Sequence, residues 1–251
     1  LSDAKLAQHP AQNAPAAPPP MWELEDGDEL IDTARVPNGA RLRLVRNGED
    51  FVILLDRNEL MSTDVCASEV ALAVMTCERL GARPAPQLLI GGYGLGFTLR
   101  AALAVLDSSA SVTVAEIVPE IVAWARGAMH RITAGCLDDP RVQLVHDDVA
   151  MLIDAARGGY DAILLDVDNG PEGLTRSVND WLYSQNGLEA ASRALSPGGI
   201  LAVWSAFRDE TFVALLEKTG FTVEVVNVEA GEAPRPDKTP LQHVIFFATK
   251  A

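Results

Sequence analysis

Two hydrophobic rhythms alternate along this chain. The β-rich runs Leu88-Leu89-Ile90, Val112-Thr113-Val114, Val142 to Val145 and Ala162 to Leu165 are short, and after the first two come Thr98 to Leu106 and Pro119 to His130 with apolar residues at helical spacing. Such a pattern predicts strands connected by amphipathic helices. A strand that is followed by a helix and then another strand finds its neighbour by crossing over one face, so the sheet is expected to be mostly parallel. Ile200 to Trp204, Thr222 to Val226 and Val244 to Thr249 add three more strands, the last running antiparallel beside its neighbour. The predicted class is α/β: a doubly wound, mostly parallel seven-stranded sheet.

The first part of the chain has another character. Residues 1–20 are rich in Ala, Gln and Pro and end in Pro18-Pro19-Pro20, so they are expected to form a disordered tail, with Met21 as a candidate natural start. Residues 21–66 read as a small N-terminal antiparallel β-module. There Arg alternates with Leu and Val from Arg41 to Arg46, Asn47-Gly48 supplies a hairpin turn, and Phe51 to Leu55 returns. A helix from Ala67 to Leu80, stopped by Gly81, opens the main domain, residues 67–251.

Composition narrows the partners. The 251 residues are 48% apolar and 22% charged, which is globular. A net charge of −15 repels phosphodiester backbones and anionic lipid, so neither nucleic acid nor a membrane is the expected partner. No apolar run reaches the roughly 18 residues of a bilayer span, and no basic-then-apolar leader is seen. Cys66, Cys77 and Cys136 lack metal or redox spacing and read as free thiols of a cytoplasmic protein. The four histidines are dispersed, so no metal is expected.

The candidate chemistry lies after the predicted strands. Leu88-Leu89-Ile90 runs into Gly91-Gly92-Tyr93-Gly94-Leu95-Gly96-Phe97 and then a helix, where an open α/β sheet places a nucleotide-type ligand. The spacing Gly92, Gly94, Gly96 with Phe97 following favours an adenosyl-sulfonium ligand over NAD, whose loop needs a small residue at Phe97. Glu116, twenty residues after Gly96 and followed by Ile117, is placed to accept hydrogen bonds from ribose hydroxyls. Asp147 and Asp148 follow the next strand, with Asp148 suited to accept from a base amine. Asp166 ends the fourth, with Asp168 and Asn169 beyond it. Gly92, Tyr93, Gly94, Gly96, Glu116, Ile117, Asp147, Asp148 and Asp166 are therefore the candidate cofactor residues.

This order of motifs resembles the spermidine synthase family, within the class I S-adenosylmethionine-dependent methyltransferase superfamily, over roughly residues 42–249. The matching words are Leu89-Ile90-Gly91-Gly92 with Arg100, Glu116-Ile117, Asp139-Pro140-Arg141-Val142, His146-Asp147-Asp148, Tyr160-Asp161 with Asp166, and Leu195-Ser196-Pro197-Gly198-Gly199. The resemblance implies a Rossmann-like methyltransferase fold behind an N-terminal β-module, and a homodimer. Three departures stand out. Leu95 occupies the position of the family's Asp that grips the amino group of decarboxylated S-adenosylmethionine. Asp166-Val167-Asp168-Asn169-Gly170 replaces Asp-Ser-Ser-Asp-Pro, and the family's Tyr-His pair is absent near Ser68-Glu69.

With Leu95 the loop no longer repels the carboxylate of intact S-adenosylmethionine. The expected function is accordingly an S-adenosylmethionine-dependent methyltransferase acting on a small molecule, with an amine as a candidate. The alternatives are an aminopropyltransferase using decarboxylated S-adenosylmethionine and a non-catalytic adenosyl-binding module. Asp166 is the candidate catalytic base or orienting acceptor, or else a structural acid. Asp168, Asn169, Tyr183, Trp204 and Glu69 are candidate substrate residues; core packing or an ordinary helix start would explain Tyr183, Trp204 and Glu69 as well.

Overall fold

The computed structural model describes residues 24, 26–37, 39–56, 58–167, 179–231 and 241–251. The chain begins with β1 (Asp28–Arg35), β2 (Arg41–Asn47), β3 (Asp50–Leu55) and β4 (Asn58–Ser62), an antiparallel sheet in chain order. Asn47 pairs with Asp50 across the hairpin, and Gly48 has φ +61°, the left-handed backbone that this tight turn requires. Alternation along β2 and β3 places Leu42, Leu44, Ile53 and Leu55 on one buried face, packed into the core of the larger unit. The outer strands β1 and β4 alternate poorly and carry register shifts, which is why sequence periodicity alone located only the central hairpin.

Helix α1 (Ala67–Leu80) then crosses to the main sheet and stops at Gly81. It buries Leu72, Ala73 and Leu80, as an amphipathic helix should, but also Ser68 and Glu69. Buried polar residues on a core-facing helix call for a reason beyond packing.

The main sheet contains β5 (Gln87–Gly91), β6 (Ser111–Ala115), β7 (Val142–Val145), β8 (Tyr160–Leu165), β9 (Leu195–Ser205), β10 (Phe221–Glu229) and β11 (Gln242–Lys250). Their spatial order is β10-β11-β9-β8-β5-β6-β7. Strands β5 to β9 pair in parallel, and β11 lies antiparallel between β9 and β10. The chain winds outward from β5 through β6 to β7, then restarts at β8 on the other side. A crevice therefore opens above the β5–β8 pair, at the carboxyl ends of the strands.

Helices α2 (Phe97–Val105), α3 (Pro119–Arg126), α4 (His130–Thr133), α5 (Val149–Ala155), α6 (Gln185–Ala194) and α7 (Glu210–Lys218) complete the elements. One sheet face packs with α1, α2, α3 and the N-terminal sheet, the other with α5, α6 and α7.

Two elements depart from the sequence expectation. The helix predicted from Pro119 to His130 ends at Arg126, because Gly127 caps it by donating to the carbonyls of Ala123 and Trp124. Strand β9 starts at Leu195 rather than Ile200: Tyr160 pairs with Leu195 and Ala162 with Ile200, so the Pro197-Gly198-Gly199 segment is absorbed as an irregularity in the ladder. Among the described residues no helix is long and apolar enough to cross a membrane.

Candidate active site at the carboxyl edge of the sheet

A cavity of about 360 Å³ fills the crevice, closed on one side by the N-terminal sheet. Gly92, Gly94, Glu116, Ile117, Asp147 and Asp148 line one part of it, and Asp166, Trp204 and Glu69 line the other. Residues drawn from α1 and five separate strand ends thus share one space.

The glycine loop brings the tips of β5 and β8 together. Gly92 has φ +81°, and a Cβ there would stand 2.5 Å from the carbonyl oxygen of Asp166. Only glycine permits that approach. The loop also fixes Glu116: the Tyr93 amide donates to its Oε2 at 2.9 Å and the Val118 amide to its Oε1 at 2.8 Å. Burial pushes the Glu116 carboxyl up, opposed by the backbone amides of Tyr93, Val118, Gly94 and Ile117. Ile117, Val118, Ile121 and Val149 provide an apolar wall beside it. At the rim Asp148 caps α5 through Oδ1, accepting from the Ala150 amide at 2.9 Å, while Asp147 accepts from the Asp148 amide at 2.8 Å. A buried acid, an apolar wall and rim carboxylates could hold an adenosyl group.

At the other end Asp166 Oδ2 accepts a 2.7 Å hydrogen bond from Thr98 Oγ1 of α2. Burial pushes its carboxyl up to about 6 even though the Thr98 bond pulls the other way. Glu69 is pushed up to about 8, first by burial and then by the charge of Asp166, with the Ser68 hydroxyl opposing. Ser68 Oγ lies 2.6 Å from Glu69 Oε2, 2.8 Å from His243 Nδ1 and 3.0 Å from the Trp204 Nε1 that donates to it. The His243 and Trp204 rings meet edge to face at 4.7 Å. Burial holds the imidazole down at about 4, so it is neutral at physiological pH.

Three candidate residues stand apart. Tyr93 contributes its amide, but its ring turns from the cavity and its hydroxyl contacts Cys136 Sγ at 3.3 Å. Gly96 lies at the start of α2, where a Cβ would run into the Tyr93 ring, and does not reach the cavity. Tyr183 packs edge to face against Phe212 at 5.8 Å, within the opposite core layer. Asp168 and Asn169 lie outside the described residues. Leu95 is buried in the core, and Gly94 is the loop residue that lines the cavity nearest it in sequence. Residues 91–97 therefore present no acid side chain to the cavity.

Sequence reading missed Thr98, His243 and the apolar roof. Thr98 carries no motif of its own, although its place in the first turn of the helix after a glycine loop is a usable signal. His243 sits near the start of the last strand, and only the β9–β11 register brings it to Trp204. Leu42, Ile53, Leu55 and Met61 of the N-terminal sheet line the roof.

The remaining matching motifs lie at the opposite edge. Asp161 accepts from Arg83 Nη1 at 2.5 Å, Ser196 Oγ at 2.7 Å and the Gln87 amide at 2.9 Å. Asp139 forms a two-pronged pair with Arg141, which also donates to the Leu106 carbonyl at 2.7 Å. These words of the sequence tie strands together rather than bind a ligand.

Comparison with known proteins agrees with this architecture. The model of the spermine/spermidine synthase domain matches residues 72–214. A polyamine aminopropyltransferase of Mycobacterium tuberculosis (strain CDC 1551 / Oshkosh) is 32% identical over 163 residues, 64% of this chain and 30% of that protein. Putrescine N-methyltransferase 1 of Nicotiana tabacum is 37% identical over 125 residues, 49% of this chain and 31% of that protein. The chain thus spans less than a third of the length of these relatives. A spermidine synthase solved with the transition-state analogue AdoDATO superposes with a TM-score of 0.68 at 21% identity, over 88% of this chain and 72% of the other. The Thermotoga maritima spermidine synthase gives 0.68 at 20% identity, over 88% and 73%. The matched domain contains the glycine loop, Glu116 and Asp166, and with it the chain belongs to the spermine/spermidine synthase family.

Proposed function

We propose that this protein transfers an aminopropyl group from decarboxylated S-adenosylmethionine to a small amine. The observation that carries the reading is the pairing of two half-sites in one cavity: Glu116 with its apolar wall, and Glu69 with Asp166 a short way along. In this reading Glu116 accepts the ribose hydroxyls, and Ile117, Val118 and Val149 enclose the base with Asp147 and Asp148 at its rim. Gly92 and Gly94 give the donor room. Asp166, held by Thr98, accepts a hydrogen bond from the attacking amine and sets its approach. Glu69 and Trp204 form the acceptor wall; a carboxylate and an aromatic face both favour a cation. The family match and the similarity to a polyamine aminopropyltransferase support aminopropyl transfer.

Methyl transfer from intact S-adenosylmethionine is a second reading, favoured by one observation. The loop brings Gly94 to the cavity and buries Leu95, so no loop acid pairs with the amino group of the decarboxylated donor or repels the carboxylate of the intact one. The similarity to a putrescine N-methyltransferase agrees with it. Incubation with each donor and a series of small amines, read by product mass, decides. An aminopropylated product supports the first reading and a methylated product the second; transfer from neither donor contradicts both.

A further inference from the structure

Ser68, Glu69, Trp204 and His243 are more than a wall, because the proton count at Ser68 has only two solutions. Trp204 Nε1 can only donate, and it takes one of the two acceptor sites on Ser68 Oγ. One proton and one acceptor site remain for two partners, Glu69 Oε2 at 2.6 Å and His243 Nδ1 at 2.8 Å. If one partner accepts from Ser68, the other must donate to it. With Glu69 ionised, Ser68 donates to the carboxylate and His243 donates from Nδ1, which leaves Nε2 bare. With Glu69 protonated on Oε2, the carboxyl donates to Ser68, Ser68 donates to Nδ1, and the imidazole proton sits on Nε2.

His243 lines the cavity, and its Nε2 makes no hydrogen bond among the described residues and is not sealed off. We propose that the Ser68 hydroxyl couples the protonation of Glu69 to the tautomer of His243, making His243 Nε2 the proton acceptor of the cavity and Glu69 the store for that proton.

This deepens the amine-transfer reading and rests on it for its use in catalysis. An amine that enters as an ammonium must lose a proton before its lone pair can attack. Once Glu69 is ionised, that proton passes to Nε2, the Nδ1 proton passes to Ser68 Oγ, and the Ser68 proton passes to Glu69. The ammonium becomes a free amine, the carboxylate becomes a carboxyl, and His243 ends neutral in its other tautomer. The nitrogen lone pair then forms the new N–C bond while the C–S bond of the sulfonium breaks and its electron pair stays on sulfur. No imidazolium is formed, which matters in a buried site where the charged ring is disfavoured. The Trp204 N–H is satisfied in both states, so the relay moves protons without stranding a buried polar group.

Among the described residues, Glu116, Asp147 and Asp148 share the cavity with this relay, and the other ionisable groups near it are these. Cys66 and Glu69 stand at the start of α1 and Asp166 beyond β8, while Glu59 of β4 lines the cavity from an exposed position. Trp204 on β9 and Val228, paired with His243 on β10, do not ionise, and Glu229 beyond Val228 is exposed. Asp166 is the group whose charge acts on Glu69, and it strengthens the hold of that carboxyl on a proton.

The direct test needs no turnover: nitrogen-15 NMR of the His243 imidazole in the full chain, from pH 6 to 10. Nε2–H with an accepting Nδ1 is expected at the acidic end, reversing to Nδ1–H with a bare Nε2 as Glu69 ionises near its value of about 8. In Glu69→Gln nothing titrates at this position, so His243 should keep one tautomer throughout. In Ser68→Ala the pH-linked reversal should vanish. One tautomer across the range in the wild type, or an imidazolium appearing within it, overturns the proposal. In turnover with an amine, Ser68→Ala should lower kcat about tenfold to hundredfold with the donor KM unchanged. A tautomer reversal without any amine transfer would leave the coupling standing and refute the amine reading, so the two failures are distinguishable.

Discussion

At the amino edge of the sheet, Asp161 and Asp139 each meet an arginine; at the carboxyl edge, Glu69, Glu116 and Asp166 are in none of the ion pairs among the described residues. Burial raises Asp161, but hydrogen bonds from Ser196, Gln87 and Arg83 outweigh it and hold the carboxyl below its ordinary value. Asp139 is held at about 2 by the Arg141 side chain and amide. Across the sheet burial wins, and Glu69 and Asp166 rise to about 8 and about 6. The same residue type is thus structural where the protein supplies the countercharge. Where the described residues supply none, burial raises the carboxyl instead, the pattern of a candidate functional site.

The sharpest way to break the comparison is to neutralise the carboxyl edge. Asp166→Asn should cut turnover by about a hundredfold to a thousandfold with little change in donor affinity, read by steady-state kinetics beside calorimetry. An equal loss of donor affinity would place Asp166 with the donor rather than the amine. Gly92→Ala should follow, losing on the order of 3 kcal/mol in urea unfolding, since its Cβ would meet the Asp166 carbonyl at 2.5 Å in a left-handed backbone. At the amino edge, Asp161→Asn should cost about 1 to 2 kcal/mol of stability and leave donor binding untouched.

The pH dependence separates the edges further. Asp139 and Asp161 bind protons more weakly folded than unfolded, so their stabilisation holds above the unfolded carboxylate range and is lost as pH falls through the folded values. Glu69 binds its proton more tightly when folded. Its contribution is complete below the unfolded value of 4.5 and is lost as pH rises through about 8, with a slope approaching about 1.4 kcal/mol per pH unit. Glu69→Gln should flatten that slope between 4.5 and about 8 and leave the limb of Asp139 and Asp161 unchanged, as urea melts from pH 3 to 9 would reveal. The smallest effect is expected for Asp148→Ala, which removes the α5 cap and about 1 kcal/mol.

Much of this was legible in the chain, and the gaps have physical causes. Strands β5 to β8 and the glycine loop follow from local periodicity and turn chemistry, so Gly92, Glu116, Asp148 and Asp166 could be placed at one edge from sequence alone. Residues whose direction depends on packing could not. Tyr93 belongs to the loop in sequence, yet its ring fills the space beside Cys136; Tyr183 precedes a helix that turns it toward Phe212. His243 reaches the site through antiparallel register with a strand some forty residues earlier, which no local motif encodes. Glu69 was visible as an acid at a helix start, but only burial distinguishes it from an exposed one.

Calorimetric titration with decarboxylated S-adenosylmethionine at pH 7, in buffers of differing ionisation enthalpy, tests the central claim most directly. A sulfonium cation beside Glu69 and Asp166 lowers their proton affinity, so binding with net proton release is predicted, and the release should shrink in Glu69→Gln. Absence of binding to this donor, or binding with no proton release, would contradict the account of the carboxyl edge as an acid cluster awaiting a cationic donor.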